Sequence, residues 1–150
     1  MARFTRTQPA PPVKGDYRAY RPFVRNDFDK CCAYCLMAEL FAAGEANFEL
    51  DHFRPKTRFS EQTNDFYNLY YSCHPCNHIK SAKWPPSPLI QQGIGFVDLC
   101  NDDFETHFIE QADGRWEGIT PSAKYTIDAL YLNRAHLIEL RLCLRQLKAQ

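Results

Sequence analysis

Leu50-Asp51-His52-Phe53-Arg54-Pro55 and Cys73-His74-Pro75-Cys76-Asn77-His78-Ile79-Lys80 set the architecture of the chain. The first run belongs to a segment, Phe48 to Phe53, in which apolar and polar residues alternate with the period of a half-buried strand. Pro55 should end that strand and hold Arg54 extended. The second run follows Asn68-Leu69-Tyr70-Tyr71-Ser72, which reads as another strand, and leads into a short helix from Asn77 to Lys83 that Pro85 and Pro86 stop. Thr57 to Asp65, between the two, is polar and loop-like. The expected order is strand, loop, strand, helix, with a C-x-x-C pair where strand gives way to helix.

A matching pair lies upstream, Cys32-Ala33-Tyr34-Cys35. This spacing lets two thiolates of one turn bind the same tetrahedral ion, so two pairs in one small domain point to a structural zinc held by Cys32, Cys35, Cys73 and Cys76. Cys31 competes with Cys32, but only Cys32 has the two-residue spacing to Cys35. Two other readings stay open: unbound thiols packed as small apolar side chains, and a redox-active C-x-x-C of a thiol-disulfide oxidoreductase. A simple zinc ribbon separates its pairs by about 15–20 residues. Here Gly44, Phe48 to Lys56 and the polar loop all lie in the gap, so a further unit is built there and the zinc clamps its base.

The chemistry-bearing residues of that unit suit phosphodiester hydrolysis, which needs a base to activate water, a cation at the leaving oxygen and positive donors for the phosphate. His52 is the natural base, since imidazole titrates near neutrality. Asp51 and Asn77 offer hard oxygens of the kind that hold Mg²⁺ together with phosphate and water. A helix opening at Asn77 favours an anion nearby, and Lys80 shares its helical face. One difficulty is visible: neighbours in a regular strand point to opposite faces, so Asp51 and His52 can share a site only where the strand ends or distorts. Taken singly, each residue has an ordinary reading. A lone histidine is a surface or hydrogen-bonded one, a lone asparagine caps a helix, and Arg54, Lys56 and Arg58 form a solvated loop.

The combination resembles the HNH endonucleases, in the branch with a four-cysteine zinc site. Their pattern runs C-x-x-C, then D-H with a nearby proline, then N-L, then C-x-x-C-N-x-x-K. It is met by Cys32-x-x-Cys35, Asp51-His52-x-x-Pro55, Asn68-Leu69 and Cys73-x-x-Cys76-Asn77-x-x-Lys80, across residues 31–84, about a third of the chain. The resemblance implies an α+β fold with a ββα-metal core and a four-cysteine zinc site, flanked by helices and a small C-terminal hairpin. It implies His52 as general base, Asp51 and Asn77 as ligands of a catalytic Mg²⁺ or Mn²⁺, Asn68 as a brace for the loop carrying His52, and Lys80 as a phosphate contact. Where the family's third letter is often histidine, this chain has Asn77; His78 is adjacent and competes for the metal from one position off the pattern. The knuckle Cys32-Ala33-Tyr34-Cys35 and the segment Tyr125-Thr126-Ile127 to Leu132-Asn133-Arg134 are similar to bacterial HNH subunits of Septu- and retron-type phage-defence systems, which act beside an ATPase partner. That likeness implies DNA as substrate, with RNA as the other polynucleotide left open, an ATPase or other defence-system protein as partner, and a homodimer where both strands are cut. The rival class is a non-catalytic zinc module that binds nucleic acid or a protein.

Around this unit, residues 1–15, with Pro9, Pro11, Pro12 and Gly15, read as a flexible basic arm. Residues 16–84 are expected to hold the zinc knuckles and nuclease core, and 85–150 a hairpin and helices packed on it. Tyr17 to Asp29 and Leu36 to Ala43 read as helices, the second closed by Gly44. Trp84 to Pro88 reads as a linker, and Phe104 to Ile119 as a hairpin turning at Asp113-Gly114. Ser122 to Leu130 and Arg134 to Leu147 read as helices, the latter with a stripe of Leu137, Leu140, Leu144 and Leu147 that packs on the domain or forms a dimer seam. Of seven cysteines in 150 residues, Cys100 and Cys143 stand alone and are expected to be buried. An odd count with no apolar leader in the opening residues fits a reducing cytoplasm. With 45% hydrophobic and 14% aromatic residues the chain can build a core, and no run of about 18 apolar residues suggests a membrane span. Lysine plus arginine equals aspartate plus glutamate at 18 each, which argues against a polycation that coats nucleic acid. The balance is uneven along the chain: residues 1–30 carry seven basic against three acidic side chains, and residues 98–117 seven carboxylates against Arg115 alone.

Overall fold

The computed structural model describes residues 1–150. The chain is α+β, with five α-helices and two separate two-stranded antiparallel sheets. In order these are α1 (Arg21–Asp27), β1 (Phe48–His52), β2 (Leu69–Cys73), α2 (His74–Lys80), α3 (Ser87–Gln91), β3 (Phe108–Glu110), β4 (Trp116–Gly118), α4 (Pro121–Leu130) and α5 (Ala135–Lys148).

β1 pairs with β2 from Phe48 opposite Cys73 to His52 opposite Leu69. The alternating sequence of β1 gives a strand buried at Phe48 and Asp51 and half-open elsewhere, whereas β2, apolar on both sides, is buried throughout. Neighbouring tyrosines of β2 serve opposite faces, as the pleat demands. Tyr70 packs between Phe28 and Phe53, and Tyr71 stacks on Phe48. Each buried phenol finds an acceptor, Tyr70 on Asp98 and Tyr71 on Glu39, both at 2.8 Å. α2 follows Cys73 directly and lies against both strands. Its start is earlier than expected: Pro75 fits the first turn, where no amide hydrogen is needed, so the helix opens at His74 and Asn77 lies one turn in.

The N-terminal residues are not the free arm expected for 1–15. Phe4 is 2% exposed and packs on Phe28, and its amide donates to the Leu99 carbonyl at 2.9 Å. Arg6 pairs with Asp27 at 3.2 Å, donates to the Phe66 carbonyl at 2.9 Å and lies over the Phe66 ring. An aromatic and a guanidinium in six residues bury enough surface to hold the segment down. The expected Tyr17 to Asp29 helix is a 3-10 turn over Tyr17–Tyr20 followed by α1, and Leu36 to Ala43 shortens to a 3-10 turn over Glu39–Ala42.

The C-terminal half forms the second sheet and its helices. β3 and β4 pair antiparallel across a turn in which Gly114 takes φ +88°. Gly118 lets α4 approach: a Cβ there would lie 2.7 Å from the Lys124 amide nitrogen. Trp116 exchanges backbone hydrogen bonds with the Asn133 side chain, and the buried Arg141 guanidinium lies 4.0 Å above the Trp116 ring. The leucine stripe of α5 is buried only at its start, with Leu137 at 1% exposure and Leu147 at 58%. Cys143 is exposed and Cys100 half-buried, so neither is the fully buried thiol expected. Trp84, in the expected linker, packs edge-on against Phe53 and Phe59. One apolar cluster runs from Phe4 to Leu137 and includes all four C-x-x-C cysteines. No helix is long and apolar enough to cross a membrane.

Candidate functional site

The four knuckle cysteines come together. Cys32, Cys35, Cys73 and Cys76 are buried, free of disulfides, and their sulfurs all lie within 4.8 Å of one another. The Cys35 and Cys73 sulfurs are 3.8 Å apart. A tetrahedron with zinc–sulfur bonds of about 2.3 Å has an edge of about 3.8 Å, so the donor set and its spacing fit a zinc ion. Both pairs enter one cluster, and neither stands apart as a separate dithiol. The first knuckle is pinned on both sides: the Ala33 amide donates to the Tyr71 carbonyl at 2.8 Å and the Leu36 amide to the Cys32 carbonyl at 3.0 Å. Arg134, just before α5, donates to the Cys76 sulfur at 3.3 Å. Burial works to lower its pKa, but the thiolates of Cys76, Cys35 and Cys73 outweigh this and hold the guanidinium above its usual range. The C-terminal half thus supplies a cation to the sulfur cluster, a link that spacing alone does not reveal.

Beside this cluster, where β1 ends, lies a cleft of about 340 Å³ lined among others by Tyr17, Asp51, His52, Lys56, Asn77 and Ser81. The strand ends at His52, which lets these neighbours border one space despite the pleat. His52 donates from Nε2 to the Thr63 carbonyl at 2.9 Å, which leaves Nδ1 as the lone-pair nitrogen. The Tyr17 ring meets the imidazole edge-on at 4.6 Å. Partial burial, with Lys56 and Lys80 adding to it, lowers the His52 pKa below the ordinary 6.5. Asp51, 4% exposed, accepts the Tyr34 hydroxyl on Oδ2, with the Lys80 ammonium 3.0 Å from that same oxygen. Burial raises its pKa against the opposing pull of Lys80 and Tyr34. Asn77 donates from Nδ2 to Glu49, which leaves its Oδ1 free of protein partners.

No side-chain nitrogen or oxygen in the chain is both buried and unpartnered. His52 Nδ1, Asp51 Oδ1 and Asn77 Oδ1 make no protein hydrogen bond, so each must reach solvent, and the residues that carry them all line this cleft. One base nitrogen and two hard oxygens are of the types that take a proton and ligate a divalent cation.

The remaining expected residues fall as follows. Asn68, 2% exposed, accepts the Arg54 amide on Oδ1 at 2.8 Å and donates from Nδ2 to the Arg54 and Gln62 carbonyls, tying together both ends of the loop beyond His52. Lys80 is not a phosphate contact. It is fully buried, and besides Asp51 it donates to the His52 carbonyl at 2.9 Å. Its helical position one turn beyond Cys76 turns it toward the hairpin, where burial requires an anion. The exposed cation at the cleft is Lys56. His78 stacks on His74 at 5.9 Å and is absent from the cleft lining. With α2 opening at His74, its positive end lies a turn away from Asn77.

Sequence reasoning overlooks Tyr34 and Glu49. Tyr34 sits inside the first C-x-x-C, where spacing draws attention to the cysteines alone. Glu49 takes up Asn77 and the His74 ring, whose Nδ1 is 2.5 Å from Oε1; burial works to raise the Glu49 pKa, but those two hydrogen bonds hold it below the usual carboxylate value. The alternation of β1 puts Glu49 on the face of Asp51, the one available signal. No protein-family model matches the chain, and no curated protein is significantly similar to it.

Proposed function

We propose that the chain is an HNH-type endonuclease that hydrolyses phosphodiester bonds of DNA with His52 as general base. The observation that supports this reading best is the set of three unpartnered atoms, His52 Nδ1, Asp51 Oδ1 and Asn77 Oδ1, on residues bordering one cleft beside a four-cysteine cluster. In this reading the Nδ1 lone pair takes a proton from the attacking water. The Nε2–H bond to the Thr63 carbonyl fixes the tautomer and aims the ring. The depressed pKa keeps that ring neutral at pH 7. Lys56, exposed and lining the cleft, would be the side chain that meets a phosphate. Asp51 and Asn77 would hold a single Mg²⁺ or Mn²⁺, which when bound supplies charge neutralisation at the phosphate and the leaving oxygen. The zinc of the four-cysteine cluster is structural. A cytoplasmic defence role beside an ATPase or other partner, and dimerisation to cut both strands, extend the same proposal.

The test is incubation of the zinc-loaded chain with supercoiled plasmid and Mg²⁺ or Mn²⁺. Nicked circles are the expected product, because one base and one cation cut one strand. Plasmid left intact with both metals, alone and with the ATPase partner, contradicts the reading. Burial of Lys80 takes away the phosphate contact expected for hydrolysis, and this counts toward a second reading, a non-catalytic zinc module that binds nucleic acid or protein. Binding of a divalent metal beyond the zinc separates the two, since a pure scaffold has no use for it.

A further inference from the structure

We infer that Tyr34 is a positioning residue: together with Lys80 it holds Asp51 by Oδ2 alone and so presents Oδ1 to a divalent cation. The inference rests on the reading of Asp51 as a ligand of that cation. A carboxylate is symmetric, and rotation about its last bond exchanges the two oxygens unless donors distinguish them. Here both donors meet the same oxygen, the Tyr34 hydroxyl by a hydrogen bond and the Lys80 ammonium at 3.0 Å. Neither donor can turn to water instead, since Tyr34 is 3% exposed and Lys80 is fully buried. Asp51 Oδ1 has no protein partner in a chain that leaves no buried polar atom unpaired, so it reaches solvent, and Asp51 lines the cleft.

The two donors are carried by the two zinc knuckles. Tyr34 stands between Cys32 and Cys35, and its own amide donates to the Cys32 sulfur at 3.4 Å. Lys80 lies in α2, four residues after Cys76. Joining the knuckles through one ion therefore also sets the distance between the Tyr34 hydroxyl and the Lys80 ammonium, and with it the direction of Asp51. A buried tyrosine needs an acceptor for its hydroxyl, but packing alone does not require that acceptor to be the same oxygen the lysine holds. On this account the zinc site orients the catalytic cation's ligand as well as clamping the fold.

Mn²⁺ binding to the full-length, zinc-loaded chain, followed by electron paramagnetic resonance, tests this in wild type, Asp51→Asn and Tyr34→Phe. Wild type should bind Mn²⁺ and Asp51→Asn should lose it. Tyr34→Phe should weaken binding on the order of 10–100-fold, the usual effect of removing an outer-shell partner, with zinc content and melting temperature near wild type. Its loss in cleavage should fall mainly on the Mn²⁺ concentration for half-maximal rate. If Asp51→Asn loses Mn²⁺ while Tyr34→Phe binds it as wild type does, the positioning role is overturned and the metal reading stands. If wild type binds no Mn²⁺, or Asp51→Asn binds it unchanged, the metal reading itself fails. Should Tyr34→Phe not hold zinc, Lys80→Gln, which leaves the knuckle intact, takes its place, with the same expected weakening and the same overturning result.

Discussion

At the scale of single residues, the cleft is built from polar side chains that use one atom for the protein and leave another for chemistry. His52 gives Nε2 to Thr63, Asp51 gives Oδ2 to Tyr34 and Lys80, and Asn77 gives Nδ2 to Glu49. If His52 is the proposed base, its depressed pKa has a direct consequence for rate. A general base must be unprotonated, so cleavage should be at its plateau at neutral pH and fall only as pH drops below about 6.5, the ordinary value. A pH–rate profile at saturating Mn²⁺ checks this, and an acid limb centred above pH 7 would contradict it. That His52, Asp51 and Asn77 border one cleft is legible in the sequence, because their types and spacing fall in one strand–loop–strand–helix unit. The fate of Lys80 is not, because the same spacing serves an exposed cation as well as a buried one. Only the neighbouring face of β1, with Asp51 on it, decides between them.

At the scale of elements, the β1–β2 hairpin, α2 and the first knuckle meet at the four-cysteine cluster, and the proposed zinc there would fix their mutual placement. Structural zinc contributes an apparent ~10–16 kcal/mol in zinc-finger peptides, comparable with the ~5–15 kcal/mol net stability of a whole domain. Cys73→Ser should therefore lose zinc and most of the cooperative melt, measured by metal analysis and circular dichroism; a zinc-free variant melting like wild type would refute the clamp. Strand and helix identities are readable here because Pro55, Pro85 and the alternation of β1 are local signals, whereas the helix start at His74, set by Pro75, comes earlier than the expected one at Asn77. The docking of residues 3–7 is not local. Phe4 and Arg6 look like parts of a proline-rich tail until Phe28, Phe66 and Asp27 are seen around them. Phe4→Ala should then cost about 3 kcal/mol of stability, the low end for a buried phenylalanine. An unchanged melting midpoint in denaturant would restore the free-arm expectation.

At the scale of the molecule, neutrality is a sum of opposed patches, but part of the basic patch is spent internally. Arg3, Arg6, Arg18 and Arg25 are each paired with a carboxylate. With Lys56 the one cation lining the cleft and no net charge on the chain, the isolated protein should bind duplex DNA weakly and with strong salt dependence. Fluorescence anisotropy showing nanomolar binding to random duplex at physiological salt would contradict this. If the chain is the proposed nuclease, it would gain affinity by working beside a partner, as the proposed defence setting supplies. The central claim, that His52 is a catalytic base in a zinc-clamped nuclease, is tested most directly by plasmid cleavage with wild type and His52→Ala side by side, with zinc content and melting temperature measured on both. The account predicts that His52→Ala loses cutting by about 100-fold or more while zinc and melting temperature stay near wild type. Cleavage at the wild-type rate, or a variant that loses its zinc and unfolds, would contradict it.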